Sequence, residues 1–174
     1  MNTGRLLLEG DISSRIKDKK TLQYILKCMD NFPAYFWTAP SSQDFHPEDE
    51  RKTGGLVLHV RRLIRVLSHL TEFYSLTSAE SDVLMSAAAL HDSFHKGLNK
   101  SPVADINHPV IAASMFQFEK GTIEKTTHDE IMDCVVSHMG KHSVHPSLNI
   151  DSKLTNIFKI ADFLVSRKDI ITEI

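Results

Sequence analysis

Three places in this chain carry side chains that could do chemistry. His91-Asp92 closes an apolar, alanine-rich stretch, Ser86-Ala87-Ala88-Ala89-Leu90. His59 lies upstream on an apolar segment, and Asp162 interrupts the apolar run from Phe158 to Val165. Two imidazoles and two carboxylates are ligands of the kind a hard-to-borderline divalent metal accepts. Because His91 and Asp92 are adjacent, one helical turn can aim both at a single ion. Taken singly, each has a plain reading: His59 as a satisfied core histidine, His91-Asp92 as a helix C-terminal cap. Asp162 is harder to dismiss, since a carboxylate in an apolar helix is costly without a cation beside it. Jointly they point to a metal.

The elements that must position these residues read as helices almost throughout. Ile12 to Met29 has broadly helical apolar spacing and ends before Asn31-Phe32-Pro33. Residues 33–55 form the longest irregular stretch, with Pro33, Pro40, Pro47 and the Gly54-Gly55 pair. Next, Leu56, Val60, Leu63, Ile64, Leu67 and Leu70 line one face of a helix, with Arg61, Arg62 and Arg65 off it. Thr77-Ser78-Ala79-Glu80 is a capping box for the helix that leads to His91. Asn107 is placed to cap a helix from His108, with Pro109 tolerated in its first turn. Helices are predicted near 56–75, 78–94, 108–119, 128–139 (stopping at Gly140) and 153–168. No segment alternates as a strand should, so the fold expected is all-α.

Composition narrows the function classes. A chain of 174 residues is the size of one domain with a real core, residues 1–174. A net charge of −2 argues against an extended nucleic-acid-binding surface. Cys28 and Cys134 match no zinc spacing or disulfide framework, which favours a reducing compartment. Leu6-Leu7-Leu8, followed at once by Glu9, is too short for a signal peptide, and no apolar run approaches the ~20 residues that span a bilayer. A cytoplasmic protein without a membrane partner is expected; oligomeric state is left open.

The order His59, His91-Asp92, Asp162 resembles the HD superfamily of metal-dependent phosphohydrolases, helical domains named for that doublet. The resemblance spans about Tyr35 to Arg167. Ala39-Pro40-Ser41-Ser42, then His46, then Gly54-Gly55-Leu56-Val57-Leu58-His59 is similar to the opening of HD domains in certain bacterial 3′–5′ exoribonucleases and small phage or bacterial HD proteins. The resemblance implies a single HD helical bundle, with residues 33–168 as its core and 1–32 as an N-terminal helical extension. It implies that His59, His91, Asp92 and Asp162 hold a first metal. It further implies that Asp92 bridges to a second ion held by His108 and His138. One or two divalent transition-metal ions, drawn from Mn, Fe, Co, Ni or Zn, would suit so histidine-rich a set. Such ions neutralise the phosphate charge that repels a nucleophile and activate water for attack.

The implied activity is a phosphohydrolase or phosphodiesterase acting on a small phosphorylated substrate, a nucleotide or short oligonucleotide. Many HD hydrolases continue the doublet as H-D-x-x-K. Here the stretch is His91-Asp92-Ser93-Phe94-His95-Lys96, so His95 takes the lysine slot and Lys96 follows one residue later. On a continuing helix that shift turns a side chain by about 100°. Asp92, His95 and Lys96 are therefore the catalytic candidates, with Lys96 and Lys141 as substrate-phosphate contacts. Tyr35, Phe36 and Trp37 are either nucleobase-stacking residues or core. His69, His128 and His142 read as surface residues, His145 as loop, and His46 stays open. Two other readings are kept: an HD-type di-iron oxygenase, and a nucleotide-binding HD module without turnover.

Overall fold

The computed structural model describes residues 2–42 and 45–170. Among them there are seven α-helices and no strand: α1 Thr3–Arg15, α2 Lys19–Met29, α3 Gly55–Phe73, α4 Ser78–Leu90, α5 His108–Met115, α6 Lys125–Ser137 and α7 Lys153–Val165. The chain is an all-α bundle, as its periodicity predicts. No described helix is long and apolar enough to cross a membrane.

Helix α4 sits at the centre because it has no polar face: every residue from Asp82 to Leu90 is buried. Helices α2, α3 and α6 pack against it, and α7 closes the bundle against α3 and α6. The Thr77–Glu80 capping box forms in full, and a second one, Ser152 with Thr155, starts α7. Residues before position 33 belong to the same core, since Leu8, Ile12 and Ile25 are fully buried there.

The N-terminal segment differs from the single helix expected over Ile12–Met29. It breaks after Arg15, and Asp18 caps a new helix by accepting from the Thr21 N–H. The break is held from across the fold. The buried Asp82 carboxylate accepts from the backbone N–H groups of Lys17 at 2.9 Å and Asp18 at 2.8 Å. Helices α3 to α7 otherwise begin within about three residues of expectation and end two to four residues earlier. Asn107 stands at the α5 N-cap without capping it; its side-chain oxygen faces His145 Nε2 at 3.3 Å instead.

Two polar expectations change with packing. Arg62 is buried, not off the packed face of α3, because Asp49 and Glu50 come down upon it. His128 is likewise buried, its Nε2 within 2.8 Å of the Phe116 carbonyl and its ring edge-on to Tyr24. His69 and His142 are exposed as expected. Tyr35 and Phe36 are core, and Trp37 stacks on Phe32 at 5.7 Å, the packing alternative of the two readings for these aromatics. The Tyr35 hydroxyl donates to the Gly97 carbonyl at 2.8 Å and tethers the loop that follows α4.

Candidate metal centre

Five helices deliver the candidate ligands to one interior point. His59 lies in the second turn of α3, whose first turn is strapped down by the preceding loop. The Gly54 N–H donates to the Thr38 carbonyl at 3.0 Å and the Leu56 N–H to the Ala39 carbonyl at 3.0 Å, satisfying donors that a helix start leaves open. The two glycines do different work. Gly54 adopts φ +81°, a left-handed conformation that favours glycine. Gly55 leaves room for the Glu50 backbone, which a Cβ there would overlap. The chain can thereby lay Glu50 against α3, next to His59.

His91 is the C-cap residue of α4, with Asp92 next in the chain. His108 opens α5, His138 caps the end of α6, and Asp162 sits in the last turns of α7. The structure brings all six together as two triads: His59, His91 and Asp162, and Asp92, His108 and His138, the ligand atoms within each lying within 4.8 Å of one another. Asp92 joins them. Its Oδ2 is 3.6 Å from His91 Nε2 and 3.9 Å from His59 Nε2. Its Oδ1 is 3.0 Å from His108 Nε2 and 3.7 Å from His138 Nε2. In the first triad Asp162 Oδ1 approaches His59 Nε2 at 3.2 Å and His91 Nε2 at 3.8 Å. Asp162 keeps 15 % side-chain exposure, the most of the six, so the site opens to solvent on the α7 side.

The ring tautomers bear on whether these residues fit a cation. Nδ1 of His91, His108 and His138 each faces a backbone carbonyl three residues back, Ala88, Asp105 and Val135, at 3.0, 2.6 and 2.7 Å. Only N–H can face a carbonyl, so each ring is set to turn the Nε2 lone pair inward. His91 Nε2 is buried with no hydrogen-bond partner, its nearest charged neighbours the acceptor oxygens of Asp92 and Asp162. His108 and His138 bring their Nε2 atoms to 3.0 Å of one another. Lone pairs and carboxylate oxygens gathered in a buried space repel unless something positive lies between them. The donor set therefore fits a divalent cation.

Electrostatics agree. Burial would raise the Asp92 carboxyl, yet the surrounding histidines hold it well below the usual range. Asp162 is held at about 2 by His59 and its neighbours against the same burial. Burial pulls His59 down, but Asp162 on one side and Glu50 on the other hold its pKa up at about 10. His108 is similarly raised, Asp92 outweighing its burial. Burial keeps His91 low and His138 down at about 3. Each triad thus combines one carboxylate with one imidazole that readily holds a positive charge, where a metal ion would serve instead.

The remaining candidates stand at varying distance from this centre. His95 is buried with its ring 5.3 Å from His108, its pKa lowered to about 4 by burial and its Nδ1 without a hydrogen-bond partner. Lys96 Nζ donates to the Pro102 carbonyl at 3.3 Å on the rim of a cleft of about 340 Å³. That cleft is lined by Lys96, Lys100 and Asp105 among others, and Asp105 also supplies the carbonyl facing His108 Nδ1. Lys141 is exposed on the Gly140–His142 turn.

Sequence reasoning missed Glu50 and left His46 open. Glu50 is fully buried, 2.8 Å from His46 Nδ1, 2.8 Å from Arg62 Nη1 and 3.4 Å from His59 Nδ1. Burial would raise its carboxyl, but His46, His59 and Arg62 hold it at about 2. The one signal in the sequence was the Gly54-Gly55 pair, a sign of close backbone approach just before His59. No family model, curated protein or solved structure matches this chain.

Proposed function

We propose that this protein is a metal-dependent phosphohydrolase of the HD type, acting on a small phosphorylated substrate such as a nucleotide or short oligonucleotide. The observation that carries the reading is the placement of Asp92: each of its oxygens faces the Nε2 atoms of a different pair of histidines. In this reading His59, His91 and Asp162 would hold one ion and His108 and His138 a second, with Asp92 placed between the two sets. Divalent ions there would supply charge neutralisation for the phosphate and acidify water. The backbone carbonyls of Ala88, Asp105 and Val135 keep the rings oriented. His95, its pKa lowered by burial and its Nδ1 without a hydrogen-bond partner, lies beside His108 as the candidate for proton transfer. Lys96, on the cleft rim, and Lys141, on the turn after His138, supply ammonium groups for the substrate phosphate.

Metal analysis of the purified protein, coupled to a nucleotide and phosphoester screen with Mn²⁺, Co²⁺ and Ni²⁺, tests this. Up to two ions per chain and phosphate release that vanishes in Asp92→Ala are expected. Iron retained together with an oxygen-dependent reaction would replace the hydrolase with an oxygenase. Metal binding without turnover on any phosphoester would leave a binding module.

A further inference from the structure

We infer that Glu50 is a positioning residue for the metal centre, holding His59 from its Nδ1 side so that Nε2 is presented to the cation. The inference rests on the metal reading above and assigns a role to a residue outside both triads.

His59 differs from the other three histidines. Their Nδ1 atoms face carbonyls of their own helix or turn, whereas His59 Nδ1 is buried without a hydrogen bond. Glu50 Oε2 lies 3.4 Å away, close enough for charge attraction though poorly aligned for a hydrogen bond. His59 Nε2 meanwhile lies 3.2 Å from Asp162 Oδ1. An imidazole with carboxylates at both nitrogens can carry a proton on each. A cation at Nε2 displaces the proton there and leaves the other on Nδ1, facing Glu50. Carboxylate behind histidine behind metal is a common arrangement for fixing ring orientation and raising ligand basicity.

Glu50 is built for that part. Its Oε1 accepts from Arg62 Nη1 at 2.8 Å, and its Oε2 takes His46 Nδ1 at 2.8 Å; Ser41 Oγ lies 2.9 Å from the same His46 nitrogen. Arg62 is anchored in turn by Asp49, at 2.9 and 2.6 Å. The Glu50 carbonyl accepts from the Ser41 N–H at 2.8 Å, and Gly55 lets that backbone press against α3. His46, Glu50 and His59 also lie within metal-ligating distance of one another. The guanidinium of Arg62 already supplies the positive charge there, so a third cation beside it would be repelled, and the cluster serves as support for His59.

The test titrates wild type, Glu50→Gln and Glu119→Gln with Mn²⁺ and Zn²⁺ alone. Glu50→Gln keeps the shape but removes the charge facing His59; Glu119→Gln removes a carboxylate from the exposed pair with Lys27, outside both triads and the Glu50 cluster. Glu50→Gln should weaken binding at the first triad by about 10–100-fold, while Glu119→Gln stays within about twofold and the second ion is retained. Equal affinity in wild type and Glu50→Gln overturns the inference and leaves the metal reading standing. A wild type that binds neither ion sinks both. Should Glu50→Gln fail to fold, ¹⁵N spectra of Zn²⁺-loaded wild type decide: the His59 ring should be coordinated through Nε2 and protonated at Nδ1, and coordination through Nδ1 refutes the assignment.

Discussion

The adjacent glycines before His59 allow a sharp test of how the site is held. Gly54 has φ +81° and open space around the position of a Cβ. An alanine there meets no neighbour and incurs only the left-handed backbone cost, about 1–2 kcal/mol. Gly55 is the reverse. An added methyl would overlap the Glu50 carbonyl group and lie 2.8 Å from its Cα. No side-chain rotation relieves a clash with backbone, so the 48–51 turn must move by roughly 1 Å or more. Overpacking of this kind costs about 1–3 kcal/mol by itself. The displacement also stretches the 2.8 Å contacts of Glu50 to His46 and Arg62, and a buried charge deprived of its partner costs about 3–5 kcal/mol. Gly55→Ala should therefore lose about 3 kcal/mol or more in urea denaturation, and Gly54→Ala about 1–2 kcal/mol. The variants should separate further in metal titration. Gly54→Ala should bind Mn²⁺ like wild type, whereas Gly55→Ala, with Glu50 moved off His59, should bind it at least about tenfold more weakly. If Gly55→Ala is as mild as Gly54→Ala on both measures, the close approach of Glu50 to α3 does not position the site.

Further outcomes follow from other parts of the molecule. If the centre binds two ions and hydrolyses phosphoesters as proposed, His108→Ala should lower metal stoichiometry from two to one and reduce turnover while sparing binding at His59, His91 and Asp162; retention of two ions would exclude His108 as a ligand. Glu80 is held down at about 2, first by Lys153 and then by the Thr77 cap. A depressed carboxyl stabilises the fold above its unfolded value and loses that contribution as pH falls through the folded one. The Tm gap between wild type and Glu80→Gln should thus be open at neutral pH and close between about 4.5 and about 2; a gap unchanged across that window would refute the linkage. Burial pushes the thiols of Cys28 and Cys134 up to about 11 and about 12, so neither should react with a thiol reagent at neutral pH until the protein unfolds. Rapid labelling of the native protein would contradict their burial.

The sequence by itself determined the helices and the residue types of the centre. Apolar spacing is a local property, so the course of α3 and the buried, all-round apolar α4 were legible from Leu56–Leu70 and Ser86–Leu90. His59, His91, Asp92 and Asp162 stood out because polar groups interrupt apolar helices, a conflict visible in one dimension. What only the tertiary structure decided were relations between distant segments. Ile12–Met29 reads as one helix until Asp82, more than sixty residues away, caps the Lys17 and Asp18 amides and divides it. Arg62 and His128 read as surface until Asp49, Glu50 and the Phe116 carbonyl arrive from other elements to satisfy them in the interior. Glu50 could not be singled out within the acidic run Glu48-Asp49-Glu50, since nothing local marks which carboxylate turns inward. Burial of a charge depends on its partner, and a partner supplied by another helix leaves no periodic trace in the chain.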